Sequence, residues 1–463
     1  MTCFNIRLGD GCTSFSLYNE HVRLSERYLK FDVSALKNVA ALASGYAPSD
    51  IAAFSRLSEG GFNRIFQVTL KDGRCVIARL PYPSTVPKRY AVASEVATLD
   101  YLRLHGIRTP KVCAWSSTNL NPVGSEYIII EKLGGTPLGD IWYSMTQDDR
   151  RKMMKQIVEW ETRLMSLKFP AYGSFQKDAG FCIGPIAHYN RWLGERSTML
   201  IDRGPWLSST DIFRAVGERE LVWTKSHAKS RVPYERLYRE TYHFRKVSPD
   251  PHIQNLSDYL KIAPFLGFGA ETALHRPVIR HPDFQPNNIL VSDSHEILPP
   301  NFDSLPETEQ AYMREILRRR MVHFLYAIFT KELNEEHYDA IFDDINIVRQ
   351  RILESAGTPW EGDSVTLRVD IMRAIQSWPG FFAEFIHCVP PVRYPDKDAD
   401  DALEQMRHAL NADVLGWVPN SEYDDARKLA QEMKDKILEV VETDHDITAA
   451  RDHFPFDDFD EDV

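Results

Sequence analysis

The chain has 463 residues, with 55 basic side chains against 66 acidic ones and a formal charge of −11. That balance argues against bulk nucleic-acid binding or a polybasic membrane surface, and no apolar run approaches the roughly 18 residues of a bilayer span. Hydrophobic residues make up 43% and aromatics 11%, as in a globular chain long enough for two or three packed units.

Residues 1–53 mix aromatic and charged side chains without the apolar stretch of a secretory signal. They read as a leader packed onto a domain, with a short helix expected over 34–43. From Phe54 the texture turns to strands. Phe66, Val68 and Leu70 alternate with Gln67 and Thr69, Lys71-Asp72-Gly73 makes a turn, and 75–80 is the return strand. A helix over 91–104 and strands over 112–116 and 127–133 complete a small β-rich lobe spanning 54–133.

A hinge is expected near 132–136, at Gly134-Gly135, and from there the pattern becomes helical. Met154, Ile157, Val158, Leu164 and Met165 mark one face of a helix over about 148–167. Residues 170–206 read as an insertion, and 211–265 and 306–356 hold further amphipathic helices, so 134–390 is a mostly α-helical lobe. Pro390-Pro391 opens a C-terminal extension, 391–463, with a polar helix-prone stretch at 422–442 and five acidic groups within 457–462. Six cysteines stand singly with no Cys-x-x-Cys pair, which indicates neither a zinc cluster nor a dense disulfide framework and favours a reducing compartment.

The chemistry concentrates in 278–291, where His281-Pro282-Asp283-Phe284-Gln285-Pro286-Asn287-Asn288 lies between two apolar β-type runs. Two prolines stiffen this loop, so Asp283 and Asn288 project at a set separation. The Asp283 carboxylate can accept a proton from a hydroxyl, and the Asn288 amide oxygen can bind Mg²⁺. His281 braces the loop better than it serves as base. The plain alternative is an Asp/Asn-rich turn. Glu95 shares a helical face with Val92, Val96 and Leu99, which turns its carboxylate inward, where an unpaired charge is costly. Arg79, at the end of Val76-Ile77-Ala78-Arg79, is the partner that resolves this cost.

His281, Asp283 and Asn288 resemble the catalytic loop of the aminoglycoside phosphotransferase and choline kinase group, relatives of the protein kinases. The resemblance implies a bilobal α+β fold of the protein-kinase type, with a β-rich N-lobe and a mostly α-helical C-lobe. It also implies that Gly60, Gly61, Phe62 and Asn63 form a glycine-rich turn over the phosphates of ATP, that Arg79 grips those phosphates and pairs with Glu95, and that backbone groups near Glu131 and Leu133 read the adenine edge. ATP with Mg²⁺ and a small hydroxyl-bearing molecule are then the expected partners, nucleic acid is not, and Asn288 is a metal ligand.

More specifically, Ser16-Leu17-Tyr18-Asn19-Glu20, the run from Glu59 to Glu95 including Leu80-Pro81-Tyr82-Pro83-Ser84-Thr85, Gly124-Ser125-Glu126-Tyr127 and Trp360-Glu361-Gly362-Asp363 resemble a fungal branch, the altered-inheritance-of-mitochondria protein 9 group. That likeness covers nearly the whole chain and implies mitochondrial association, a cytoplasmic location being the alternative. One element departs from the pattern. Relatives continue past Ile289-Leu290-Val291 into a Gly-aliphatic-aliphatic-Asp-Trp run whose aspartate is the main Mg²⁺ ligand. Here 292–297 runs directly into Leu298-Pro299-Pro300-Asn301-Phe302-Asp303. Three readings stand: a segment of several tens of residues missing from an active enzyme, a chain that binds nucleotide but catalyses poorly, or a compensated site using Asp293 or Asp303.

Overall fold

Period-two alternation of apolar side chains shapes the N-terminal part of the molecule. The structure, a computed structural model, describes residues 14–16, 20–142, 144–177, 180–233, 239, 245–269, 272–281, 288–291, 324–381, 391–392, 417–419 and a few between 427 and 438. Strand β1 (Ser14–Ser16) and helices α1 (Glu20–Glu26) and α2 (Val33–Ala43) precede the main sheet. That sheet holds β2 (Ile51–Glu59), β3 (Asn63–Leu70), β4 (Cys75–Pro81), β5 (Val112–Ser116) and β6 (Tyr127–Glu131), antiparallel and ordered β2-β3-β4-β6-β5, with α3 (Tyr90–Leu104) inserted after β4.

Alternate residues of each strand face opposite sides. Val76, Ala78, Leu80, Tyr127 and Ile129 join Phe66 and Val68 against Leu36 and Ala40 of α2. Ile128 and Ile130 point the other way, onto Val92 and Val96 of α3. The Asp32 side chain caps α2 by accepting from the Ala35 N–H at 2.9 Å. The stretch read as a leader therefore carries a helix that packs on one face of the sheet, and the sheet begins at Ile51, slightly ahead of the expected Phe54.

The hinge occupies 132–135, where Gly135 has φ +120°, a conformation that side chains with a Cβ avoid. It leads into β7 (Thr136–Pro137), α4 (Leu138–Ile141) and α5 (Gln147–Met165). Thr146 caps α5, its hydroxyl oxygen accepting from the Asp149 N–H at 3.1 Å. The expected insertion opens with a hairpin, β8 (Ser174–Lys177) and β9 (Phe181–Gly184), that packs on α3: Lys177 Nζ lies 2.7 Å from Asp100 Oδ2, and the Tyr101 ring meets Phe175 at 4.6 Å and Phe181 at 5.3 Å.

Helices α6 (Ser209–His227), α7 (Asp250–Ile262), α8 (Glu335–Phe342), α9 (Asp344–Gly357) and α10 (Thr366–Gln376), with a helical stretch over 324–333, dominate the rest of the described C-terminal lobe. Their core centres on Leu256, Tyr259, Ile262, Ile352, Ile371 and Trp378. Gly217 lets α6 lie close on α7, since a Cβ there would fall 2.6 Å from the Tyr259 ring. β11 (Trp417–Pro419) pairs with β1 and ties the C-terminal extension to the N-terminal segment. No helix among the described residues is long and apolar enough to cross a membrane.

Candidate active site

The glycine-rich turn joins β2 to β3. The Gly60 N–H donates to the Asn63 carbonyl at 2.9 Å, and the Phe62 carbonyl accepts from the Tyr82 N–H at 3.0 Å and the Thr85 hydroxyl at 2.6 Å. The turn is thus fastened to the end of β4 on one side. Its other side is open, for a Cβ on Gly61 would meet nothing within 4 Å, which is the property required of backbone that must approach a ligand closely. Phe62 is 53% exposed and its ring lies 5.7 Å from that of Tyr189 in the helical lobe, so the turn reaches across the cleft. Beneath it, Glu59 and Arg64 form a buried ion pair, and the Arg64 and Arg27 guanidinium groups sit over the Tyr82 ring at 5.7 and 5.3 Å.

Arg79 follows from the strand parity. Ala78 and Leu80 face α2, so Arg79 faces α3 with Ile77, and its guanidinium pairs with the Glu95 carboxylate. Burial pushes the Glu95 carboxyl above its usual range, and the charge and hydrogen bond of Arg79 pull it part of the way back. The pair joins sheet to helix on the cleft side, with 29% of the arginine and 31% of the glutamate side chain left exposed. Arg79 is therefore tethered yet accessible, and its fork can address two oxyanions at once.

β6 ends at Glu131, two residues short of Leu133, and the Glu131 N–H is given to the Lys111 carbonyl at 2.9 Å. That amide is consumed by the sheet edge and is not a free reader of a base, while the Glu131 carboxylate lies 3.5 Å from Arg103 Nη1. Leu133 sits in the extended hinge beyond the sheet, half-buried. Lys132 Nζ reaches back to Gln67 Oε1 at 2.8 Å.

The loop that carries His281 and Asn288 is held at both stems. After it, β10 (Leu290–Val291) pairs antiparallel with β7, and the Leu138 N–H donates to the Ile289 carbonyl at 2.7 Å. Ile289 packs with Leu138, Trp142 and Met154, and Ile279 with Trp160 and Leu164. The segment before the loop was expected to be strand-like, but 276–281 forms no strand. Side-chain contacts hold it in place of a ladder: Arg280 Nε bonds Glu161 Oε1 at 3.3 Å. His281 and Asn288 are exposed at the two ends of the loop. Asp283, the expected base, lies outside the described residues, as do Asp293 and Asp303.

Glu161 is the residue that sequence reasoning missed. It is 1% exposed on α5 and accepts from the Tyr326 hydroxyl at 2.5 Å, with His337 Nε2 at 3.5 Å from the same oxygen. Tyr326 and His337 are themselves 2.9 Å apart. Burial raises the Glu161 carboxyl, but hydrogen bonds from His337 and Tyr326 and the charges of His337 and Arg280 outweigh it and hold the group below its usual range. The signal was present in the sequence: Glu161 falls on the same apolar stripe as Val158, Leu164 and Met165, just as Glu95 falls on that of α3.

Among the described residues no three His, Cys, Asp or Glu side chains gather as a metal-holding group. The expected ligand that is described, Asn288, offers a neutral amide oxygen. The described residues do not by themselves make up a magnesium site.

Comparison with known proteins gives the following similarities. Residues 53–298, just over half of the chain, match the model of the phosphotransferase enzyme family. A subtelomeric hrmA-associated cluster protein of Aspergillus fumigatus is 29% identical over 86% of this chain and 94% of its own length. Altered inheritance of mitochondria protein 9, mitochondrial, of Kluyveromyces lactis is 21% identical over 81% of this chain and 74% of its own. Among solved structures, an ethanolamine kinase of Plasmodium vivax is similar at 14% identity and a TM-score of 0.30, covering 72% of this chain and 84% of that one.

Proposed function

The chain belongs to the phosphotransferase enzyme family, a kinase-like phosphotransferase, and we propose that it transfers the γ-phosphoryl group of ATP to a hydroxyl of a small molecule. The observation that carries this reading is the Arg79–Glu95 pair, an accessible guanidinium held between β4 and α3 beside an open glycine turn. In this reading Gly60, Gly61, Phe62 and Asn63 cover the phosphates, Arg79 binds their oxygens, and the hinge around Leu133 flanks the base. The acceptor hydroxyl oxygen attacks the γ-phosphorus, the bond to the ADP oxygen breaks, and the hydroxyl proton passes to Asp283. His281 and the Arg280–Glu161 contact position the loop, and Asn288 is the proposed metal ligand for Mg²⁺ accompanying ATP.

The test is ADP release from ATP and Mg²⁺ across a panel of alcohols, sugars and aminoalcohols. Asp283→Ala is expected to lower turnover by about 10²-fold or more, and Arg79→Met to raise the ATP requirement. Background release from the unaltered chain, identical in Asp283→Ala, would sink the proposal. The missing Gly-aliphatic-aliphatic-Asp-Trp run after Val291 favours a second reading, a catalytically impaired member that binds nucleotide as a regulatory module. Thermal stabilisation by ATP without dependence on Mg²⁺, with no turnover, selects that reading. Mitochondrial association is proposed from the name carried by the Kluyveromyces lactis relative, and a purely cytoplasmic distribution on fractionation would overturn it.

A further inference from the structure

The segment that meets the glycine turn gathers four arginines, of which Arg196 and Arg219 are buried. Arg191 ends the short helical turn Tyr189–Arg191, Arg196 follows it, and Arg203 and Arg219 close on the same region from the loop before α6 and from α6 itself. Two of the four are satisfied. Arg196 makes a bidentate contact with Glu220 and lies 3.9 Å over the Trp223 ring, and Arg203 donates to the carbonyls of Arg191, Arg196 and Met199 while resting 4.0 Å over Trp192.

The other two are not. Arg219 is 3% exposed, bonds Glu220 Oε1 through Nε at 2.6 Å and the Gly357 carbonyl through Nη2 at 3.1 Å, and leaves a buried Nη1 with no partner among the described residues. Arg191 rests 5.1 Å over the Trp206 ring, and its Nη1 is likewise buried, with no partner among the described residues. Glu220, fully buried, already divides its charge between Arg196 and Arg219. The nearby carboxylates of Glu195 and Asp202 belong to exposed residues and are engaged by the Trp223 and Trp206 ring N–H groups. Repulsion between Arg191 and Arg219 adds to burial in drawing Arg191 down to about 9. Buried guanidinium donors are normally matched by acceptors, because an unmatched charge out of water is strongly disfavoured.

We propose that Arg191 and Arg219 form an oxyanion-binding subsite in the helical lobe, filled by the carboxylate or phosphate of a small ligand. The subsite adjoins the cleft, for Tyr189, two residues before Arg191, touches Phe62 of the glycine turn, and Trp192 stacks on Tyr90 of α3 at 5.3 Å. Resting on the phosphotransferase reading above, this makes the acceptor an anionic hydroxyl compound, such as a hydroxy acid or a phosphorylated alcohol.

The test is thermal unfolding of the full chain in inorganic phosphate and, separately, in glycerate, each against sodium chloride at equal ionic strength. At least one oxyanion is expected to raise Tm by several degrees in the unaltered chain and in Arg79→Met, and to do so no more than chloride in Arg191→Gln. Arg191→Lys, which keeps the charge without the fork, is expected to retain a reduced shift. The glycerate arm separates a carboxylate ligand from a phosphate ligand. A shift abolished by Arg79→Met and kept by Arg191→Gln places the anion on the nucleotide side, which overturns the subsite while leaving the phosphotransferase reading intact. Absence of any shift in the unaltered chain overturns the subsite even if Arg191→Gln does not fold.

Discussion

Replacing Glu161 by Gln removes one negative charge from a buried cluster that holds the stem of the His281 loop. The carboxylate is 1% exposed and receives the Tyr326 hydroxyl at 2.5 Å, with His337 at 3.5 Å and Arg280 at 3.3 Å. Arg280 is half exposed, so water screens its contact, worth at most about 1 kcal/mol. The Tyr326 and His337 contacts are out of water, and hydrogen bonds to a charged group contribute roughly 1.5–3 kcal/mol each. Glutamine keeps an acceptor for Tyr326, so Glu161→Gln is expected to cost about 2–3 kcal/mol, and Glu161→Ala about 3–5 kcal/mol as an orphaned polar cluster. Urea unfolding at pH 7 reads the loss. Hydrogen exchange should show faster opening at 279–281 and 288–291 while the β2–β6 sheet stays protected. The stabilisation from Glu161 is complete above about pH 4.5, the ordinary carboxyl value, and fades as the pH falls through the depressed native value. Glu161→Gln should lack that acid dependence. A variant within about 0.5 kcal/mol of the unaltered chain, with unchanged exchange at the loop stems, would refute the bracing role.

Two further perturbations probe the lobes separately. His252 is buried against the Trp360 ring at 5.3 Å, and burial lowers it from 6.5 to about 4. The unfolded chain therefore binds a proton that the native one refuses between those values, so stability falls by roughly 3 kcal/mol as the pH drops from 6.5 to 4. His252→Phe should flatten this part of the urea-derived profile, and an equally steep loss in that variant would exclude His252 as its source. In the N-terminal lobe, Arg79→Met removes the attraction that offsets burial of Glu95, so the Glu95 carboxyl should titrate at higher pH than in the unaltered chain. Carboxyl-detected NMR follows this, and an unmoved titration would contradict the pairing.

What the sequence alone determined was local and periodic. Alternation over 66–70 and the turn at 71–73 located the β3–β4 hairpin, helical spacing located α3 and α5, and an acid on the apolar face of α3 required the cation that Arg79 supplies. These features were legible because each depends on residues a few positions apart, or on one charge that must be neutralised out of water. Tertiary structure alone decided how α2 covers the sheet, and how the hairpin of the presumed insertion packs on α3. It also decided that the Glu131 amide is spent on Lys111. The groups around Glu161 come from positions 161, 280, 326 and 337, and those around Glu220 from 191, 196, 203 and 219. No short-range pattern links such residues, because their proximity is created only when the helices of the second lobe pack, and with it the charge environment that each site can offer a ligand.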